Sequence, residues 1–430
     1  MRGLPWLVSS EGLNSAALML AMTTPFVLFL HDLGFKKTHI GLATSLVHLT
    51  APLALVIAPS VERFGLKRTY LAFMGSRNFV LCGLILLPWV IEGRGPDFAL
   101  NYAFGVMGLY GLLRIIAETA LYPWMMESIP NSVRGKFTAV SMMASTATRL
   151  LAVLASGYVI AHYDGLWRYQ ILIAVGCCLG LSSVLVRMKV AGGKPAQERR
   201  SRIFKLSEIK DALADRNLLR YVAGISLLVL GTHSWGTFAP LFLKEVVGLS
   251  AAEVVLLQSG TMFGSFVFCY LWGYAADRYG SRPVLVAGII LIIGVPIGWL
   301  LMPVHSAWSL YWAATIAVMA GVGEVAWHIG DTKLLYESVV PPAKKMQYMA
   351  IFYAVVELTR FIGPVAVGML LDSLESRSGE EIPLFTPGPG GPYQMYFTLA
   401  VVMLVMSLSL LVGIRAKSAG SDTDEQEGAA

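Results

Sequence analysis

Charge is what this chain has least of. Lysine, arginine, aspartate and glutamate make up 14% of its 430 residues, against about a quarter in ordinary soluble domains. Hydrophobic residues make up 56%, and the mean hydropathy is +0.65. So little charge excludes a soluble globular protein and places the chain in a membrane. Cysteine is scarce too: Cys82, Cys177, Cys178 and Cys269 all fall inside apolar runs without ligand spacing. Neither a disulfide framework nor a metal site is expected, and these thiols read as small buried hydrophobes. No G-x-x-x-x-G-K-[ST] loop occurs, which argues against direct drive by ATP. No Ser-His-Asp order points to an enzyme, and no cofactor is expected.

Long apolar runs are what the chain does have. Twelve can be marked, from 7–30 to 394–414, and lengths of about 20 residues specify helices rather than the shorter, alternating strands of a barrel. The first run resembles a signal peptide in place only. Ser9, Ser10, Glu11 and Asn14 interrupt it, so it reads as a retained helix. With the N-terminus inside, cytoplasmic segments hold 23 of the 33 lysines and arginines, outer loops hold 6, and 4 lie within helices. That bias predicts that both termini are cytoplasmic. The net charge of +6 then reports topology, and nucleic acid is not an expected partner.

The two halves repeat one another. Glu62-Arg63-Phe64-Gly65-Leu66-Lys67 matches Asp277-Arg278-Tyr279-Gly280-Ser281-Arg282, each after the second span of its half. Glu127 to Pro130 matches Glu337 to Pro341, Arg149 matches Arg360, and RYQILIAV (168–175) resembles PYQMYFTLAV (392–401). Between the halves, 187–220 carries ten basic residues against four acidic ones. The organisation expected is therefore an N-terminal bundle over 1–187, a basic cytoplasmic linker over 188–218, a C-terminal bundle over 219–415, and a disordered cytoplasmic tail over 416–430. The outer loop 372–393, rich in Pro and Gly, is either a flexible lid or a plain connection.

GYAADRYGSR (273–282) resembles the G-x-x-x-D-R-x-G-x-[K/R] loop signature of the major facilitator superfamily. The earlier copy has Ala58 for its Gly and Glu62 for its Asp. The resemblance implies an all-α polytopic membrane protein whose twelve transmembrane helices form two pseudo-symmetric six-helix bundles around a central cavity. It also implies a site near mid-membrane, reached from either side as the bundles rock. Glu62, Arg63, Gly65, Gly273, Asp277, Arg278, Gly280 and Arg282 are the expected cytoplasmic gating motif, a charge cluster able to latch the bundles together; ordinary positive-inside anchoring is the plainer alternative. Gly363-Pro364 with Gly368 resembles a glycine-proline antiporter motif, displaced into helix 11.

Ionisable groups inside spans are costly and therefore informative. The candidates for substrate binding or proton coupling are Glu11, Asn14, Arg114, Glu118, Arg149, His233, Glu324, His328, Glu357 and Arg360. Arg114 with Glu118, Glu324 with His328, and Glu357 with Arg360 sit three or four residues apart, so each pair shares a helical face. Arg149 has no acid at that spacing and needs a partner on another helix, for which Glu118 or Glu11 is the candidate. A carboxylate or imidazole beside a fixed arginine can change its proton occupancy when its partner moves; ion pairs that merely tie helices together are the alternative. His48 and His233 are singletons, more often hydrogen-bonded packing residues. Trp235 and Trp327 are candidate substrate-facing walls.

The expected function is secondary active transport of a small organic solute by alternating access, coupled to protons. Its setting is the bacterial inner membrane, and a monomer is expected. The other reading is a non-transporting scaffold, sensor, or assembly and delivery factor on the same fold.

Overall fold

The structure, a computed structural model, describes residues 3–129, 134–193, 214–335, 339, 345–376 and 391–414. Most of the linker, most of the 372–393 loop, and the C-terminal tail lie outside them. Apolar composition makes helices obligatory here, because backbone groups in hydrocarbon must be satisfied within their own segment. Eleven helical stretches are long and apolar enough to cross a membrane. The twelfth expected crossing is the second span, which is broken into Lys37–Leu49, Ala51–Leu53 and Ala54–Phe64. Pro52 causes the interruption: it donates no backbone hydrogen bond, and a 3₁₀ turn fills the gap.

Other spans break as well. The first runs Leu4–Ala21 and then Thr24–Asp32, ahead of Pro25. The third passes through a 3₁₀ segment, Cys82–Leu86, ahead of Pro88. The seventh is Arg216–His233 and then Trp235–Glu245. Its start is fixed by Asp215, whose carboxylate accepts from the Asn217 amide at 2.8 Å and from Tyr348 at 2.8 Å. The eighth, Ala251–Tyr279, opens on a reciprocal Ser250–Glu253 capping box. The fourth (Pro96–Ser128), fifth (Arg134–His162), sixth (Trp167–Arg187), ninth (Ser281–Leu300), tenth (Ser309–Leu334), eleventh (Lys345–Ser376) and twelfth (Pro392–Val412) are each continuous.

Within the N-terminal half, the first span packs on the fifth and sixth and the third on the fourth; in the C-terminal half the tenth packs on the eighth and ninth. The halves meet along two seams, second against eleventh and fifth against eighth, which exchange under the internal repeat. At the first seam glycine sets the approach. A Cβ on Gly41 would strike the Pro364 carbonyl, and one on Gly368 would lie 2.7 Å from the Thr38 Cα. The glycine-proline motif of helix 11 thus serves close contact between halves.

The buried side chains sort by depth. One core cluster draws on both halves, with Phe26, Phe29 and Tyr169 from one and Phe238, Phe242 and Trp299 from the other. It lies toward what we call the far end, where residues 32, 37 and 245 sit. Toward the end where the described chain starts and stops, the terminal end, the two larger cores are separate. Leu7, Tyr70, Trp124 and Val184 belong to the N-terminal half, and Tyr221, Leu285, Leu334 and Leu411 to the other. Among the described residues the buried core is shared between the halves at the far end and divided at the terminal end.

Candidate functional site

The mid-span charges lie on helices of both halves, and one pair of them joins the halves at the second–eleventh seam. Arg114 donates through Nε to Glu118 Oε1 at 2.7 Å, the pairing expected from their spacing. Arg360 Nη1 lies 3.4 Å from Glu357 Oε1 on the eleventh span. The other oxygen of Glu357 is 2.8 Å from His48 Nδ1, so an N-terminal-half imidazole and a C-terminal-half carboxylate join across the seam. His233, at the break in the seventh span, sets its ring edge-on to His48 at 4.8 Å. Periodicity gave no sign of the His48 bridge, because its partner is on a helix 309 residues away in sequence.

Arg149 behaves differently from the other arginines. Its Nε donates to the Ser145 carbonyl at 3.2 Å, and no described carboxylate pairs with it. Glu11 and Glu118, the two expected partners, are committed to Arg187 and Arg114. The acid within electrostatic reach of Arg149 is Glu324 on the tenth span of the opposite half, on which Arg360 acts more strongly. Glu324 has only His328 nearby, at 4.0 Å, and its side chain is 52% exposed in the middle of a membrane helix. Exposure at that depth, opposite a cation from the other half, means that it faces the interior space rather than lipid.

At the far end the halves are tied by charge. Glu245 takes His31 Nε2 at 2.8 Å and Lys37 Nζ at 2.9 Å. Asp32 takes Lys244, and Lys37 also reaches Glu375. The Asp372 carboxylate accepts from the backbone amides of Lys37 at 3.1 Å and Thr38 at 2.9 Å, so the eleventh span caps the start of the second. Thr44 and Thr237 hydroxyls meet at 3.2 Å below, and Gln258 donates to Thr24 at 2.6 Å. Between described residues, every hydrogen bond and ion pair that crosses from one half to the other lies at the level of His48 or nearer the far end.

The lock carries the internal symmetry. FLHDLG (29–34) and FLKEVVG (242–248) end the first span of each half, with His31 and Lys244 separated by 213 residues. His31 binds Glu245 while Lys244 binds Asp32, so each half gives its base to the other's acid. Such self-complementary exchange is what a two-fold axis produces. Sequence reasoning counted Lys37 and Lys244 as loop charges; the repeated base-acid dipeptide was the available signal.

The model of the Major Facilitator Superfamily matches residues 12–339. The chain belongs to that superfamily. A chloramphenicol resistance protein, CraA, of Acinetobacter baumannii is 21% identical over 73% of this chain and 74% of its own length. A cis,cis-muconate transport protein of Acinetobacter baylyi is 25% identical over 53% of this chain, which spans 54% of that relative. The crystal structure of a variant of nucleoside transporter NupG superposes with a TM-score of 0.72, covering 96% of this chain and 99% of that one at 14% identity. At that identity the likeness speaks for the fold.

Within this superfamily member, the loop signature pairs inside one half. Asp277 takes Lys333 Nζ of the tenth span at 2.7 Å, and Arg278 donates to the Tyr274 hydroxyl at 2.8 Å. Gly65 and Gly280 turn the chain at φ of +94° and +92°, where any other residue would be strained. Gly273 has open space where a Cβ would sit, Arg63 is exposed, and the side chain of Glu62 lies outside the described residues. Arg282 is the second residue of the ninth span, which starts at Ser281 after the Gly280 turn.

Two candidates sit deeper in the N-terminal half. Glu11 pairs with Arg187, whose side chain is 1% exposed and also donates to Tyr70 at 2.7 Å. Asn14 accepts from Arg77 at 2.9 Å. Trp327 is buried within its own half under the His328 ring, at 3.7 Å, and does not wall the cavity. Among the described residues no three His, Cys, Asp or Glu side chains converge as a metal site requires. Glu11→Gln strands the Arg187 charge, so we expect a loss on the order of 3–5 kcal/mol. Thermal unfolding in detergent checks this; unchanged stability together with lost transport would return Glu11 to the coupling machinery.

Proposed function

We propose that this transporter-family protein carries a small organic solute by proton-coupled alternating access, as a monomer in a bacterial inner membrane with its terminal end in the cytoplasm. The bundles 1–187 and 219–415 move as two bodies joined by the linker 188–218. The observation that carries the reading is a loosely partnered, half-exposed carboxylate at mid-span: Glu324, whose His328 neighbour is 4.0 Å away, lies within electrostatic reach of Arg360 of its own half and Arg149 of the other. A carboxylate held this way exchanges a proton as the halves move, whereas Glu118 is already neutralised by Arg114. The names of the two relatives, one resisting chloramphenicol and one transporting muconate, favour an organic solute. The far-end lock and the divided cores of the terminal end match a protein closed on one side and open on the other. The abundance of basic residues at the terminal end supports the orientation. When the halves rock, the lock parts and the Asp277–Arg278 loop is placed to latch the other side.

Cross-linking tests the motion. The hydroxyls of Thr44 and Thr237 are 3.2 Å apart across the seam, so Thr44→Cys with Thr237→Cys, in a background lacking the native cysteines, should oxidise to a bridge. Substrate-driven signals from a pH-sensitive dye in everted vesicles should then stop, and a reductant should restore them. Flux that continues through fully cross-linked protein would sink alternating access.

A further inference from the structure

The cavity charges nearly balance, and the imbalance that one proton creates identifies the cargo. Arg114, Arg149 and Arg360 are matched by Glu118, Glu324 and Glu357. Two of the arginines are engaged, Arg114 by Glu118 at 2.7 Å and Arg360 by Glu357 at 3.4 Å. Arg149 is the one left over. Its side chain is exposed, and among the described residues only the Nε of its guanidinium has a partner, the Ser145 carbonyl. The acid within its electrostatic reach is Glu324, which also feels Arg360 and has His328 Nε2 as its nearest described partner at 4.0 Å.

A proton on Glu324 therefore leaves Arg149 as an uncompensated charge at mid-membrane, an expensive state. One monovalent anion restores neutrality, and the free edge of a guanidinium matches a carboxylate in bidentate geometry. We propose that the solute is an organic monocarboxylate bound by Arg149, moving together with one proton carried on Glu324. This rests on the proton-coupled reading above and adds the substrate class and an electroneutral stoichiometry.

The groups facing Glu324 are few. Arg360 of the eleventh span acts on it most strongly and Arg149 of the fifth span next, and His328 lies on its own helix. The eighth and ninth spans, which pack on the tenth, keep their charges at their ends, in Glu253, Asp277 and Arg278 on one and Arg282 on the other. Asp331 is turned away into the C-terminal half, bonded to Tyr221. Carboxylate binding should accordingly strengthen as pH falls and Glu324 takes its proton, and Glu324→Gln should flatten that dependence.

The test is thermal stabilisation of the purified full chain by aliphatic and aromatic monocarboxylates, set against amides and amines of the same carbon skeletons. Carboxylates are expected to stabilise the protein. Arg149→Gln should weaken their binding roughly tenfold to a hundredfold, the value of a charged hydrogen-bonded contact. Arg149→Lys, which keeps the charge without the planar fork, should fall between. Stabilisation by amides or amines in place of carboxylates overturns the proposal, as does no response to any carboxylate, or carboxylate binding that survives both Arg149 variants. Proteoliposome flux separates this from the reading beneath it. A neutral or cationic ligand that crosses the membrane defeats the anion assignment and leaves the transporter standing, while carboxylates that bind through Arg149 and never cross do the reverse.

Discussion

Glu324→Gln is expected to reduce substrate-linked proton movement to background while the protein still folds and still exchanges solute across the membrane. The amide keeps the size of the carboxyl group and mimics its protonated form, so the cavity is held permanently in the state that accepts cargo. Folding should survive, because Glu324 closes no tight ion pair: its nearest partner, His328, is 4.0 Å away and its side chain is 52% exposed. Arg149 does lose its counter-charge, but its side chain is exposed where that of Arg187 is packed at 1% exposure, so the cost is smaller than the one expected at Arg187. The measurement is dye-reported proton flux alongside counterflow of labelled solute, each normalised to folded protein. Coupling that persists in Glu324→Gln would move the proton site to Glu357 or Glu118. A matched fall in both fluxes and in folded protein would instead make Glu324 a structural charge.

The contrast between Glu324 and its neighbours shows what a sequence can and cannot disclose. Spacing along one helix correctly paired Arg114 with Glu118 and Glu357 with Arg360, because such contacts are local and follow from 3.6 residues per turn. The repeat was legible for the same reason, as each copy is a continuous string. Arg149 was rightly singled out as lacking a local partner, but its counter-charge lies on the tenth span of the other half, and helix adjacency across a bundle leaves no periodic trace. His48 was hidden likewise, a lone histidine in an apolar run until Glu357 is set beside it at 2.8 Å. The break at Thr50–Pro52 was signalled by proline, although its shape, a 3₁₀ turn, depends on the packing around it. Charges at span ends were hardest to weigh, since loop anchoring explains a lysine there as well as a gate does. Only the structure joins Lys37 to Glu245 and Glu375.

Lys37 is consequently the residue whose loss should most disturb the balance between the two faces of the transporter. Its side chain is 7% exposed, its ammonium lies between Glu245 and Glu375, and it sits 4.8 Å over the Tyr393 ring. Asp372 approaches the same spot to cap the second span. Lys37→Met removes the cation that separates these carboxylates and leaves His31, among the described residues, as the one base on Glu245. The acids are partly exposed, Glu245 at 26% and Glu375 at 45%, so the full penalty for stranded buried charge is discounted to about 2 kcal/mol. That energy corresponds to a shift of roughly thirtyfold in the population open at the far end. A cysteine introduced at Thr44, just below the lock, should then react with a membrane-impermeant maleimide added from the far side, where the parent protein protects it. Restoration gives the sharper test: Glu245→Gln with Glu375→Gln in the Lys37→Met background removes the repulsion and should recover most of the protection. If labelling stays slow in Lys37→Met, glycine packing at Gly41 and Gly368 holds the seam without the charges. If labelling rises and the added amides fail to slow it, the effect comes from lost packing of the lysine stem against Tyr393.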